Sequence, residues 1–111
     1  MATDDAAAVV EATAELLSAV VADNGLRADE IVFILFTATQ DLHSAFPAAA
    51  VTGAGLSEVP RLCATEMDVA GAMPRVVRLV LFAEAEQPRS DVRHVYLGGA
   101  VALRPGTTAP A

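Results

Sequence analysis

The chain contains no lysine and no tryptophan, and only one cysteine and one tyrosine. A single thiol, Cys63, cannot form an internal disulfide, which fits a reducing compartment. The two histidines, His43 and His94, form no ligand-spaced pair with Cys63, so no metal site is expected. Long apolar runs are missing too. The longest, Ile31-Val-Phe-Ile-Leu-Phe36, falls far short of the ~18 residues of a membrane span and reads instead as a buried strand. Met1-Ala-Thr-Asp-Asp5 has neither a basic nor an apolar leader region, so no secretory signal and a cytoplasmic location are expected. Positive charge is scarce: 7 basic residues face 14 acidic ones, for a net charge of −7. That balance argues against nucleic acid and anionic membranes as partners. All the basic residues are arginines, so any small anionic ligand must be met by arginine locally.

What is present is apolar. Of 111 residues, 54% are hydrophobic, and the mean hydropathy is +0.47. One domain over residues 1–111 is expected, and a short chain this apolar gains from burying surface against other subunits.

Helical spacing places Val9, Val10, Leu16, Leu17, Val20 and Val21 on one face, with Thr13 in the single gap. Thr3 or Asp4 is the expected N-cap, and Asn24-Gly25 the expected stop. After the strand at Ile31–Phe36, Thr37 to Pro47 reads as a loop running into a short helix that continues through Val51 and ends by Gly53 and Gly55. Further strands are expected at Val59–Ala64, Arg75–Glu86 and Val92–Leu97, followed by a helical turn at Gly98–Leu103 and a frayed tail over 106–111. The fold class is therefore α/β or α+β, with a mixed sheet and one long amphipathic helix.

Among residues able to carry chemistry, Arg78 shares a strand face with Val76, Val80 and Phe82. A charge in that setting requires a partner, and an ion pair or an anionic ligand both satisfy it. Glu66-Met-Asp68 offers two carboxylates, for which a solvated turn is the plainer reading. Cys63 reads as a small buried thiol without a base to activate it. His43 reads as a loop brace, and Tyr96 as a packed ring with a satisfied hydroxyl. The glycines form no phosphate-binding fingerprint. These residues suit a small anionic ligand without naming a reaction.

The motifs go further. Thr37-Ala-Thr-Gln-Asp-Leu-His-Ser-Ala-Phe-Pro-Ala48 resembles the T-P-D-L-H-x-x-F-P-A segment of the trimeric AroH-type chorismate mutases, with Gln40 in place of proline. Val59-Pro-Arg-Leu-Cys-Ala-Thr-Glu-Met-Asp-Val69 is similar to that family's V-P-x-x-C-x-x-E-M-D-V block. Gly71 to Arg78 matches G-x-x-x-x-x-x-R, and Val92-Arg-His-Val-Tyr-Leu97 and Ala100-Val-Ala-Leu-Arg-Pro105 match the closing blocks. The resemblance implies a pseudo-α/β-barrel homotrimer with active sites between subunits, rearranging chorismate to prephenate without metal or cofactor. It implies that Arg78 donates to the ether oxygen, that Glu66 accepts from the ring hydroxyl and that Tyr96 meets a carboxylate. Cys63, Phe46, Ala48, Leu103 and Arg104 are then substrate-binding residues, Phe46 and Ala48 reaching in from the neighbouring subunit.

There are departures. The family's first strand, with its R-G-A-T-like stretch and substrate-binding arginine, has no counterpart in the residues given, which start at the first helix. Ala49 and Thr52 stand where basic residues are common, and the interval from Phe46 to Cys63 is one residue shorter than in some relatives. Arg61 and Arg104 are candidates to compensate. Three readings therefore stand: a working or weakened chorismate mutase, a same-fold enzyme recruited to another small-molecule rearrangement or cyclisation, and a non-catalytic ligand-binding relative.

Overall fold

The structure, a computed structural model, describes Met1 and residues 3–103. Helix α1 spans Ala6–Asp23 and strand β1 Ile31–Ala38; a 3₁₀ turn at Pro47–Ala49 runs into the short helix α2, Ala50–Gly53. Strands β2, Arg61–Thr65, and β3, Val77–Ala83, complete a three-stranded sheet in the order β2-β1-β3. β2 runs parallel to β1 and β3 antiparallel, so the sheet is mixed and the fold is α+β. Parallel pairing requires a crossover. The segment carrying α2 provides it.

Helix α1 buries Val9, Thr13 and Leu17, which recur every four residues. Thr13, the gap in the apolar stripe, lies at the centre of the buried face. Its hydroxyl donates to the Val9 carbonyl at 2.7 Å, so the polar atom enters the core already satisfied. The N-cap is Asp5, whose carboxylate accepts from the Ala8 N–H at 3.1 Å. This corrects the expected cap at Thr3 or Asp4, because Asp4 is committed to residues 43 and 44. At the other end Gly25 takes φ +59°, and the N–H groups of Gly25 and Leu26 donate to Ala22 and Val21. That is a Schellman stop, as the Asn24-Gly25 pair predicts.

The core joins Leu17 of α1 and Val51 of α2 to Ile31, Ile34 and Phe36 of β1, with Leu56 and Val59 from the crossover. Removing such a side chain, as in Leu17→Ala, costs about 2–5 kcal/mol. All of this packs on one face of the sheet. On the other face Leu62 is 57% exposed, Val80 52% and Phe82 50%. Phe33 and Phe82 pair across β1 and β3 with ring centroids 5.8 Å apart.

Three strand expectations need adjustment. β2 begins only at Arg61, just after Pro60. β3 is shorter than the expected Arg75–Glu86, because Arg75 has φ 51° and turns its N–H onto the Asp41 carboxylate. Val92–Leu97 forms no strand among the described residues. Alternation gave the segment strand character, but a strand exists only with a ladder. The backbone of Arg93 is bonded by the side chain of Asn24 instead. The expected turn at Gly98–Leu103 is a 3₁₀ helix. Residues 106–111, expected to fray, lie outside the described residues.

Candidate active site

Sheet register assembles the polar centre on the open face. Thr37 of β1 stands opposite Arg78 of β3 and opposite Ala64 of β2. Side chains alternate along a strand, so Thr37, Arg78 and Ala64 share a face, and Glu66 follows two residues beyond Ala64. The Glu66 N–H donates to the Ala38 carbonyl at 2.9 Å, which extends the β1–β2 pairing past the strand end. There Arg78 Nη2 donates to Glu66 Oε1 at 2.6 Å, and Arg78 Nε to Oε2 at 3.0 Å. The Thr37 hydroxyl donates to the same Oε2.

The pair is asymmetric in exposure. The Arg78 side chain is 65% exposed, and that of Glu66 only 16%. The Arg78 guanidinium holds the Glu66 carboxyl below its ordinary value, and the Thr37 hydrogen bond adds to this; partial burial acts in the opposite direction. The Arg78 pKa is raised, chiefly by its hydrogen bonds to Glu66. The centre therefore offers a permanent cation with access to solvent beside a carboxylate that stays ionised. One can stabilise negative charge developing on a ligand oxygen, and the other can accept from a ligand hydroxyl.

The other expected site residues are placed as follows. Cys63 is half-buried and packs against the apolar core, on the face of β2 away from Glu66. Phe46 is 76% exposed, while Ala48 is half-buried against the core. The loop before Phe46 is tied to the start of α1. Asp4 accepts from the backbone N–H groups of His43 and Ser44 and from the Ser44 hydroxyl at 2.6 Å, and His43 Nδ1 lies 3.3 Å from it. His43 thus braces the loop. Tyr96 and Leu103 are half-buried, and Arg104 lies outside the described residues. Arg61 is folded back onto the carbonyls of Ser57 and Val59 at 2.8 and 3.2 Å.

Sequence reasoning brought Glu66 and Arg78 forward but missed Thr37. A threonine closing an apolar run carries no signal by itself; only the register of three strands puts its hydroxyl on the carboxylate. The plainer reading of Glu66, a solvated turn, also gives way, because Arg78 and Thr37 hold it under cover. Among the described residues no group of three or more His, Cys, Asp or Glu side chains is arranged to hold a metal. No helix among them is long and apolar enough to cross a membrane. An open cleft of about 650 Å³ lined by Asp23, Asn24, Ser90, Asp91 and Arg93, among others, shares no residue with the Arg78–Glu66 centre.

Comparison with known proteins identifies the family. Residues 1–107 match the family described as chorismate mutase type I. The chain is 44% identical over 103 residues to the chorismate mutase AroH of Thermus thermophilus, covering 92% of this chain and 84% of that one. It is 37% identical over 98 residues to the chorismate mutase AroH of Bacillus subtilis strain 168, covering 87% and 77%. The solved structure of a chorismate mutase from Clostridium thermocellum superposes with a TM-score of 0.89 at 35% identity, over 91% of this chain and 90% of that one. Mixed sheet, crossover and matched sequence together place the chain in the type I chorismate mutase family.

Proposed function

We propose that this protein catalyses the rearrangement of chorismate to prephenate. The observation that carries the reading is the Arg78–Glu66 pair on the open face of the sheet, in a chain of this family. The reaction is intramolecular: one carbon–oxygen bond breaks as one carbon–carbon bond forms, and negative charge gathers on the ether oxygen. No nucleophile, metal or cofactor takes part. The catalyst has to hold the folded conformer and place a donor at that oxygen. Arg78 is the donor, and Glu66 accepts from the ring hydroxyl. Tyr96 meets a substrate carboxylate.

The working form in this reading is a cytoplasmic homotrimer with sites between subunits. The exposure of Leu62, Val80, Phe82 and Phe46 supports it, since surface this apolar is stabilised by burial. Phe46 and Ala48 then complete a neighbour's site, and Leu103 and Arg104 close over the substrate. The test is chorismate consumption by the purified protein beside its Arg78→Ala variant. Loss of that donor lowers kcat by about 10²–10³. Wild-type turnover no faster than the variant's overturns the assignment.

A further inference from the structure

Glu66 is held from two sides, and the two holders differ in kind. Arg78 reaches it from β3 on a long side chain that is 65% exposed. Thr37 reaches it from β1, the central strand, on a short β-branched side chain that is half-buried between β2 and β3. A β-branched residue in a strand has little χ1 freedom. The strand itself is fixed by ladders on both edges, and the next residue, Ala38, holds the Glu66 backbone through its carbonyl. Consecutive residues of one strand thus fix both the main chain and the side chain of Glu66.

The proposed reaction makes competing demands on Arg78. Its N–H groups bind Glu66 in the free protein, yet they have to meet the ether oxygen of the substrate. A guanidinium turning toward a ligand gives up part of its hold on the carboxylate. We propose that Thr37 is a positioning residue, whose hydroxyl keeps the Glu66 carboxylate aimed at the substrate hydroxyl while Arg78 is engaged elsewhere. The inference rests on the mutase reading for its substrate, and on the sheet register for its geometry.

The hydrogen-bond arithmetic is consistent. A carboxylate accepts at about four lone-pair sites. Arg78 occupies two and Thr37 one, which leaves one for a ligand hydroxyl even with Arg78 in place. Thr37 donates to the carboxylate, so it also favours the ionised form, in the same direction as Arg78.

The test pairs Thr37→Val, which keeps shape and loses the donor, with Thr37→Ser, which keeps the donor. The Glu66 carboxyl is titrated by carbon NMR in ligand-free protein, and chorismate kcat and KM are followed against pH. In Thr37→Val the Glu66 midpoint is expected to rise toward the ordinary glutamate value, the acid limb of the rate profile to rise with it, and kcat to fall about tenfold at little change in melting temperature. Thr37→Ser is expected to restore most of both. Thr37→Ala carries the same expectation as Thr37→Val should valine disturb folding. A Glu66 titration and a rate profile in the donor-less variants that coincide with wild type overturn the inference. A shifted Glu66 titration in a protein whose wild type leaves chorismate untouched supports the Thr37–Glu66 clamp and overturns the mutase reading.

Discussion

The Asn24 carboxamide grips Arg93 by both backbone groups. Nδ2 donates to the Arg93 carbonyl at 3.0 Å, and Oδ1 accepts its N–H at 2.8 Å. Nδ2 also donates to Val20 at 2.9 Å, inside the last turn of α1. A side chain thus supplies to residue 93 the pair of bonds a neighbouring strand supplies in a ladder, and it docks the segment leading to Tyr96 against the helix end. Asn24→Ala is expected to lower stability by about 1–2 kcal/mol, because these groups fall back on water. Amide exchange at Arg93 should quicken well beyond that of the β1 amides. Unchanged exchange at Arg93 contradicts the docking role.

The open sheet face makes a second prediction. Val80 and Phe82 sit side by side with Leu62 across β1, and each is about half exposed or more. A carboxylate placed there, as in Val80→Glu or Phe82→Glu, loses its water once the face is covered. Light scattering at micromolar concentration should show a trimer for wild type and smaller species for these variants. Since the face lies outside the monomer core, their secondary structure by circular dichroism should remain. A wild-type monomer contradicts interface sites.

Acid stability follows from those depressed carboxylates that join distant parts of the chain. Glu66 is lowered by Arg78, Asp4 chiefly by the Ser44 hydroxyl and the loop N–H groups, and Asp41 by the Thr39 hydroxyl and the Arg75 N–H. A depressed carboxyl contributes stability that is fully present above its unfolded value and is lost as pH falls through the folded one. The melting temperature should therefore be flat from about pH 7 to about pH 5 and fall below about pH 4. Asp4→Asn is expected to lower the plateau, because it weakens the brace on residues 43 and 44, and to flatten the acid slope. An unchanged slope in that variant contradicts the assignment.

The carboxylate of Glu66 gives a fourth expectation. Glu66→Gln keeps the size, loses the charge and leaves Arg78 without its ion-pair partner. With Arg78 mostly exposed, the stability change should be small, on the order of 1 kcal/mol or less. Turnover should fall much further, through loss of the hydroxyl acceptor. A large melting shift with unchanged kcat inverts the proposed role.

The long elements were legible in the residues. The α1 stripe, its Asn24-Gly25 stop, the apolar run of β1 and the Pro47 turn each follow from local chemistry, since each needs only neighbours within about a helical turn or a few strand positions. The segment at Val92–Leu97 was misread for the converse reason. Its alternation is real, but alternation does not supply a partner strand, and the described residues provide a side-chain amide in its place. Thr13, the single gap in the α1 stripe, is buried with it, because its hydroxyl is satisfied one turn back.

At the site, the sequence determined by itself that an arginine stands in an apolar strand, a carboxylate in a loop twelve residues earlier, and that both match one family's motifs. The tertiary structure decided that they touch, and that Thr37 joins them. The physical reason is register. Thr37 and Arg78 are 41 positions apart and meet because β1 and β3 pair antiparallel, while Glu66 arrives because β2 pairs parallel on the other edge. A slip of one residue in either ladder sends a side chain to the opposite face. What keeps the register is the apolar face of the same strands, buried on α1 and α2, so the core sets the geometry of the centre it does not touch.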